Sequence, residues 1–337
     1  MTDDEMIVEV SKLLATVGDA HTSLSFDSKG KYPFVFYCFN DGIYIIDSLP
    51  EYSEFIGYKL IGINEKSIEE VRNLFRPIIS HENEAWFKYK FANNLVVAEF
   101  LSGLSITESE TANYILMDKN GYEKSVEVRA RPFKKMDLVS RNIDKSERML
   151  YLKNSDINYW YDFLEDDKLL YFQYNVCYNM RGKSFLDFNK ELFDFIDDNP
   201  INKLVVDLRN NSGGSTLVLD PFFVELKRRE SLDHPQKLFV IVGRRTFSAA
   251  IGNTLNFDKE TNATIIGEPT GAKPNHYGEV QFLELSNTNI KVKYSTKYIE
   301  ITSEDLDSFV PDIIVEQNTD DYFNNIDSVM QKILEIN

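Results

Sequence analysis

Hydrophobic positions follow two different patterns along the chain of 337 residues. In the first half, apolar and polar residues alternate over short stretches such as 33–39 and 43–46, which is typical of strands that bury one face. In the second half, continuous apolar runs are separated by segments of helical spacing, and such runs are typical of strands buried on both faces. The patterns predict a small α+β region followed by an α/β region in which helices cover a sheet.

The first half begins with an amphipathic segment that Gly18 ends, and a hairpin turn is predicted at residues 40–42. A glycine, a short strand, a tight turn and a helix form one compact unit over 57–71. The predicted elements are, in order, a helix over 4–17, strands over 33–39 and 43–46, the unit over 57–71, helical spacing over 83–104, and strands over 112–133.

The second half reads as alternating strands and helices after a charged segment at 134–166, which we interpret as a surface connector with some strand near 149–152. The predicted elements are strands over 169–174, 204–208, 238–242 and 263–266, helices over 185–196, 217–226 and 249–255, a hairpin over 282–298, and a closing helix over 322–336.

Composition excludes several classes of protein. The hydrophobic share of 43% is ordinary for a globular protein. A net charge of -17 argues against binding to nucleic acid or to an anionic membrane. No apolar run approaches the roughly 18 residues of a membrane span. Cys38 and Cys177 lie in apolar segments, so we expect two buried free thiols and neither a metal site nor a disulfide framework.

Three glycine-containing junctions follow three successive strands, at 207–214, 243–250 and 267–275. In open α/β sheets such loops gather at the carboxyl ends of the strands, where ligands bind. Ser248 lies at the start of a helix, where a hydroxyl nucleophile would have free N–H groups beside it. The alternative is that Ser248 only caps the helix. The first junction lacks the Gly-Lys-Ser/Thr ending of a phosphate-binding loop.

Four motifs in this order resemble the C-terminal-processing, or tail-specific, serine peptidases, in particular the branch of the tricorn core and the interphotoreceptor retinoid-binding protein repeats. The motifs are Asp-x-His-Thr at 19–22, Asp-Leu-Arg-Asn-Asn-x-Gly-Gly at 207–214, Thr-Phe-Ser-Ala-Ala at 246–250 and Gly-Glu-Pro-Thr-Gly at 267–271.

The resemblance implies an α/β fold with a crotonase-like (Clp-protease-like) layered core, an inserted PDZ-like α+β domain and a short N-terminal helical segment. We expect the N-terminal segment to span 1–27 and to carry the candidate base, the PDZ-like domain to span 28–133, and the catalytic core to span 134–337.

The resemblance assigns the nucleophile to Ser248 and the oxyanion hole to the N–H of Ala249 with that of Gly213 or Gly214. It leaves the base open. One branch uses a lysine about 25 residues after the serine, which matches Lys273; the tricorn-like branch uses a histidine, which matches His21. We favour His21, because a histidine needs no large pKa shift to act near neutral pH.

The third catalytic group is open among Glu268, Ser295 and Glu300. The resemblance further implies a peptide or unfolded-protein substrate and no metal or organic cofactor. Whether the chain forms a homo-oligomer is left open. The chain starts inside a helical pattern, so we expect a longer precursor from which a leader or a small helical segment was removed. The location is left open, and a removed leader would favour the bacterial cell envelope or secretion. The rival interpretation is a non-catalytic protein of the same fold that binds an apolar ligand or a peptide.

Overall fold

The computed structural model describes residues 1–108, 110–132, 138–286 and 290–336. The chain forms two compact units, which we call the first unit (Met1–Asp144 and Tyr277–Ile299) and the second unit (Lys145–His276 and Glu300–Asn337). The start of the predicted connector, 134–137, lies outside the described residues. The division into segments 1–27, 28–133 and 134–337 stays a prediction.

The described elements follow in chain order. The helices are α1 Asp3–Ala15, α2 Ile68–Phe75, α3 Glu84–Asn94, α4 Ala98–Gly103, α5 Leu150–Lys153, α6 Phe185–Asp198, α7 Asp220–Leu226, α8 Ala249–Glu260, α9 Thr319–Phe323 and α10 Ser328–Glu335. The strands are β1 Ser23–Phe26, β2 Phe34–Cys38, β3 Ile43–Ser48, β4 Lys59–Ile63, β5 Lys66–Ser67, β6 Thr111–Met117, β7 Glu123–Arg129, β8 Tyr159–Leu164, β9 Leu169–Tyr174, β10 Lys203–Asp207, β11 Leu238–Val242, β12 Thr264–Gly267, β13 His276–Glu284, β14 Ile290–Ile299 and β15 Ile313–Ile314.

The first unit is built on an antiparallel sheet of order β2-β3-β4-β6-β7, with β5 paired to β4. Burial alternates along β6, as expected for a strand with one face on the core. A second sheet has the order β1-β14-β13. At the amino end, Thr2 and Glu5 form a capping box that starts α1. The mixed strand and helix content of the first half is therefore confirmed.

The predicted helical segment 83–104 is two helices rather than one. Leu95, Val96 and Val97 leave the helical path between α3 and α4 and are all buried. The N–H of Tyr32 donates to the carbonyl of Val96 at 2.8 Å, and Val97 forms a β-bridge with Lys31. The break thus follows from a pairing with a distant segment, which local spacing does not reveal.

The second unit is built on a sheet of order β15-β12-β11-β10-β9-β8, in which only the β8–β9 pair is antiparallel. Neighbouring residues of β9 enter opposite cores: Leu170 and Phe172 pack with α6, α7 and α8, whereas Leu169 and Tyr171 pack with α10. All four are fully buried. The prediction of a sheet covered on both faces is confirmed.

Two predictions for the second half are wrong in detail. The strand expected near 149–152 is the short helix α5, and the strand β8 was missed within the predicted connector. The carbonyl of Tyr151 in α5 accepts hydrogen bonds from the side chains of Gln173 and Asn210, at 2.9 and 2.8 Å. These long-range bonds fix the helix. The predicted closing helix is α9 and α10, and Asp327 caps the second of these.

Close packing of α1 on α4 yields a test of the first unit. A Cβ added at Gly103 would lie 2.7 Å from a methyl carbon of Val8 and against the carbonyl of Asp4. We expect Gly103→Ala to lower the free energy of unfolding, because overpacking costs about 1–3 kcal/mol whereas helix propensity returns at most about 1 kcal/mol. Urea unfolding measures the change, with Ser102→Ala as the matched control. Equal stability of the two variants would contradict the close packing.

Candidate active site

The three glycine-containing junctions meet at the carboxyl edge of the parallel sheet in the second unit. Thr246 joins them. Its hydroxyl donates to the carbonyl of Leu208 and accepts from the N–H of Gly243, both at 2.9 Å. Its carbonyl accepts from the N–H of Gly271 at 3.1 Å. The predicted gathering of the three loops is confirmed.

A buried ion pair joins the second junction to the third. Arg244 donates two hydrogen bonds of 2.7 Å to the two carboxylate oxygens of Glu268. The N–H of Glu268 also donates to the carbonyl of Val242 at 3.2 Å. A paired arrangement of this kind fixes geometry as well as adding energy. Glu268, a candidate third catalytic group, therefore has a structural partner in Arg244.

Ser248 precedes α8 in an unusual backbone conformation. Its φ is 55° and its ψ is -126°, and its side chain makes no capping hydrogen bond to the helix. For a residue with a Cβ, such a conformation costs of order 1–3 kcal/mol and persists only where its surroundings hold it. The hydroxyl therefore does not serve the helix as an N-cap, which was the alternative interpretation of this serine.

The first junction passes close to this serine. Gly213 has a φ of 102°, and a Cβ added to it would lie 2.7 Å from the Cβ of Ser248 and 3.0 Å from the nitrogen of Ala249. Gly214 has a φ of 135° and leaves no space for a Cβ beside Cys177. Both positions thus require glycine, and the loop backbone lies directly against the start of α8.

The candidate oxyanion donors differ in their hydrogen bonds. The N–H of Gly213 already donates to the side-chain oxygen of Asn211 at 2.9 Å. The N–H groups of Gly214 and Ala249 have no acceptor among the described residues of the chain. Two backbone donors without protein acceptors therefore flank Ser248, which is the arrangement that can stabilise a developing oxyanion.

Asn211 is a buried residue to which sequence analysis gave no role of its own. Its side-chain amide donates to the carbonyl of Tyr174 at 2.9 Å, and its backbone carbonyl accepts from the N–H of Phe247 at 3.0 Å. It thereby fixes the glycine loop to β9 and to the residue before Ser248. Its only sequence signal is its place in the Asp-Leu-Arg-Asn-Asn motif.

Cys177 packs beside this loop as a buried free thiol, as predicted. Its Sγ lies 3.4 Å from the side-chain oxygen of Asn211, and burial raises the pKa of the thiol to about 11. Cys38 is likewise buried and forms no disulfide with a described residue. A thiol with so high a pKa is protonated at neutral pH and therefore a poor nucleophile.

Lys273, the alternative base, lies on the third junction in the second unit. Its ammonium is 2.9 Å from a carboxylate oxygen of Asp305 and 3.8 Å from one of Asp307. A general base needs a free amine, whereas the side chain of Lys273 is engaged in these ion pairs. Glu300 lies in the same unit and is exposed.

His21 lies in the first unit, on the turn between α1 and β1, and only 3% of it is exposed. Its Nδ1 is 3.6 Å from a carboxylate oxygen of Asp19, and its backbone N–H donates to the same oxygen at 2.9 Å. The hydroxyl of Thr22 donates to the other oxygen at 2.5 Å. The carboxylate of Asp19 therefore lies beside the His21 ring.

The electrostatics of Asp19 follow from these contacts. Burial alone would raise the pKa of Asp19, but its polar interactions with His21, Thr22 and Ser295 outweigh burial and lower the pKa from 3.8 to about 2. Ser295, a candidate third group, is on β14, and its N–H donates to the Thr22 hydroxyl at 3.4 Å. Asp19 is therefore an ionised carboxylate over the whole neutral range.

Glu82 is a second carboxylate near this histidine, and sequence analysis missed it. Ligand atoms of Asp19, His21 and Glu82 all lie within 4.8 Å of one another. Glu82 comes just before Asn83, which caps α3, so only tertiary structure brings it here. The same three side chains have the donor types that a divalent cation takes, but two carboxylates beside an imidazole also suit a general base.

Ionised Asp19 gives a prediction for acid stability. The pKa of Asp19 is about 2 in the folded chain and about 4 in the unfolded chain. Its contribution to the free energy of unfolding is therefore complete above pH 4 and is lost as the pH falls to about 2. The shift corresponds to about 2 kcal/mol. We expect Asp19→Asn to be destabilised by about this amount at pH 5–7, with the difference vanishing near pH 2.

Urea unfolding at a series of pH values measures this difference, and Asp156→Asn, which removes an exposed carboxylate, is the control. A deficit of Asp19→Asn that stays constant from pH 6 to pH 2 would contradict the ionised, hydrogen-bonded carboxylate.

No family model and no curated protein matches the chain. Mature CPAF is similar over 96% of this chain and 87% of its own, with 14% identity and a TM-score of 0.63. Mature CPAF complexed with lactacystin is similar over 97% of this chain and 88% of its own, with 13% identity and a TM-score of 0.64.

Photosystem II D1 C-terminal processing protease is also similar, at 12% identity over 94% of this chain and 83% of its own, but its TM-score of 0.41 is too low to carry an inference. Across the described residues, no helix is long and apolar enough to cross a membrane. The resemblance predicted from the motifs is confirmed at the level of fold: the chain has the α/β fold of mature CPAF, a tail-specific serine peptidase.

Proposed function

We propose that the chain is a serine-type peptidase that hydrolyses peptide bonds in peptide or unfolded-protein substrates. The observation that carries the proposal is the strained backbone of Ser248 beside the N–H groups of Ala249 and Gly214, which have no acceptor among the described residues. A serine held in this way presents its hydroxyl at the carboxyl edge of a parallel sheet. The fold of mature CPAF supports the same reaction class.

The reaction proceeds through an acyl-enzyme. The Ser248 hydroxyl attacks the scissile carbonyl and gives its proton to His21. The N–H groups of Ala249 and Gly214 hold the oxyanion of the tetrahedral intermediate. His21 then protonates the leaving amine as the peptide C–N bond breaks. Water, deprotonated by His21, hydrolyses the ester and regenerates the serine. None of these steps uses a metal or an organic cofactor.

His21 is the proposed base, and Asp19 and Glu82 are the proposed positioning residues. An imidazole beside an ionised carboxylate is held in one orientation, and its protonated form is stabilised during the reaction. The ion pair of Lys273 with Asp305 and the pairing of Glu268 with Arg244 argue against both as participants. Ser295 contributes through its backbone N–H, which donates to the Thr22 hydroxyl that in turn donates to Asp19.

The finer architecture is part of the proposal. The second half is proposed as a crotonase-like core over 134–337, and residues 28–133 as a PDZ-like domain after the N-terminal segment 1–27. The sheet of the first unit leaves β2 and β7 as its outer strands. An extended peptide could add to such an edge through main-chain hydrogen bonds.

A labelled fluorophosphonate tests the nucleophile. We expect covalent capture of one label per chain, with the modified peptide containing Ser248, because the adduct places an anionic oxygen where the oxyanion donors lie. Ser248→Ala should lose capture, whereas Ser212→Ala, which removes an exposed hydroxyl in the glycine loop, should retain it. Mass spectrometry of the labelled chain measures both.

Capture that survives in Ser248→Ala would contradict the assignment. No capture by the unmodified chain, combined with saturable binding of an unlabelled peptide, would favour the non-catalytic binding protein. Lactacystin, which is bound to mature CPAF, is a second ligand for the same comparison.

The base is tested by a pair of variants. His21→Gln should lower kcat/KM for a fluorogenic peptide by about 10³-fold or more, because the proton acceptor is lost. Lys273→Met should change kcat/KM by less than about tenfold, since its ammonium is committed to an ion pair. His234→Gln, which alters an exposed histidine, is the control. The reverse ranking of His21→Gln and Lys273→Met would transfer the role of base to Lys273.

A further inference from the structure

Three side chains of the first unit bring metal-ligating atoms together. Asp19 and His21 come from the turn between α1 and β1, and Glu82 comes from the loop before α3. One ligand atom of each lies within 4.8 Å of those of the other two. In the parts of the chain that the structure describes, no other group of three or more His, Cys, Asp or Glu side chains comes so close. Imidazole and carboxylate are both donor types that hold zinc in proteins.

The spacing within this cluster fits one small divalent ion. The Nδ1 atom of His21 is 3.6 Å from a carboxylate oxygen of Asp19. Around a tetrahedral Zn²⁺ with bonds of about 2.0–2.2 Å, neighbouring ligand atoms are about 3.3–3.6 Å apart. Asp19 and His21 thus already have the separation that a shared ion requires. Glu82 is half-buried, and rotation about its own side-chain bonds supplies the remaining approach.

Hydrogen bonds outside the cluster fix the carboxylate of Asp19. The backbone N–H of His21 donates to one oxygen at 2.9 Å, and the hydroxyl of Thr22 donates to the other at 2.5 Å. The N–H of Ser295 in turn donates to the Thr22 hydroxyl at 3.4 Å. Each carboxylate oxygen keeps a second lone pair that a metal ion can take. Outer hydrogen bonds of this kind orient a ligand, and their loss typically lowers metal affinity by about 10–100-fold.

The side chain of Ser295 provides a separate indication of a ligand. Its hydroxyl oxygen is buried without a hydrogen-bond partner among the described residues, and the residue is close enough to Asp19 to affect the pKa of that carboxyl. Buried hydroxyl groups in folded proteins nearly always have a partner. An ion with three protein ligands completes its coordination with water. A water on an ion held by Asp19 would supply the partner for this hydroxyl.

The donor atoms, rather than charge, select the kind of ion. Lys293 on β14 interacts electrostatically with Asp19, so its ammonium offsets part of the carboxylate charge. Mg²⁺ and Ca²⁺ take oxygen ligands and gain little from an imidazole nitrogen. Zn²⁺ and the neighbouring first-row ions accept nitrogen and carboxylate oxygen together. The cluster therefore fits a transition-metal ion better than an alkaline-earth ion.

We propose that Asp19, His21 and Glu82 bind one divalent transition-metal ion, of which Zn²⁺ is the type, and that this ion inhibits the peptidase. A neutral imidazole has a single nitrogen lone pair. Once the ion takes that lone pair, His21 has none left to accept the proton of Ser248. The inhibition rests on the proposed function, in which His21 is the base, whereas the binding of the ion does not. The reaction itself requires no metal.

Isothermal titration of the whole chain, first freed of metal by a chelator, tests the binding with zinc chloride and magnesium chloride. We expect one Zn²⁺ per chain and Mg²⁺ binding that is weaker by about 100-fold or more. Glu82→Gln and His21→Gln should each weaken Zn²⁺ binding by about tenfold or more, because each removes a ligand. Glu123→Gln, the matched control, alters an exposed carboxylate on β7 and should leave the affinity unchanged.

Thermal unfolding separates loss of the site from loss of the fold. A cooperative transition in the absence of Zn²⁺ shows that a variant is folded. Zn²⁺ should raise the unfolding temperature of the unmodified chain and of Glu123→Gln, and should raise that of His21→Gln and Glu82→Gln much less. Glu82 is half-buried and glutamine has nearly its shape, so Glu82→Gln keeps the test decisive should His21→Gln fail to fold.

Inhibition is measured with the fluorogenic peptide. Zn²⁺ should lower kcat of the unmodified chain over the concentration range in which it binds, and excess EDTA should restore kcat. Half-inhibition of Glu82→Gln should require about tenfold more Zn²⁺ than half-inhibition of the unmodified chain, because the same ligand is missing.

No binding of Zn²⁺, equal binding of Zn²⁺ and Mg²⁺, or an unchanged Zn²⁺ affinity in both Glu82→Gln and His21→Gln would overturn the proposed site; the last result would mean an adventitious ion only. Full activity of the chain with Zn²⁺ bound would overturn the inhibition. A chain without peptidase activity contradicts the proposed function instead, and the titration, which uses no activity, still decides the metal site.

Discussion

The backbone of Ser248 is the constraint on which the candidate site of the second unit depends. A positive φ at a residue with a Cβ is unfavourable, so neighbouring groups must hold it. The N–H of Phe247, the residue before it, donates to Asn211, and Thr246 is hydrogen-bonded to the ends of β10 and β11. The strands β10 and β11 are parallel neighbours in a sheet whose two faces are both buried. The buried sheet thus holds Ser248 in its strained conformation.

The glycine loop has the complementary role. The N–H of Gly213 already donates to the side-chain oxygen of Asn211, whereas the N–H of Gly214 has no acceptor among the described residues and keeps its donor capacity. A side chain at Gly213 would collide with Ser248. Motif resemblance alone left the two glycines equivalent; a single side-chain hydrogen bond distinguishes them. In such an arrangement the donor groups are oriented when the chain folds, so that orienting them requires no further free energy when a ligand binds.

Sequence patterns recovered those parts of the fold that are set by local composition. The strand at 238–242 and the helix that follows Ser248 were predicted because apolar runs and small residues are visible in a single window. Elements fixed by distant partners were not recovered: α5 depends on hydrogen bonds from Gln173 and Asn210, and the break between α3 and α4 depends on the pairing of Val96 with Tyr32. Glu82 belongs to the same class, since no spacing rule relates it to a histidine 61 positions earlier in the chain.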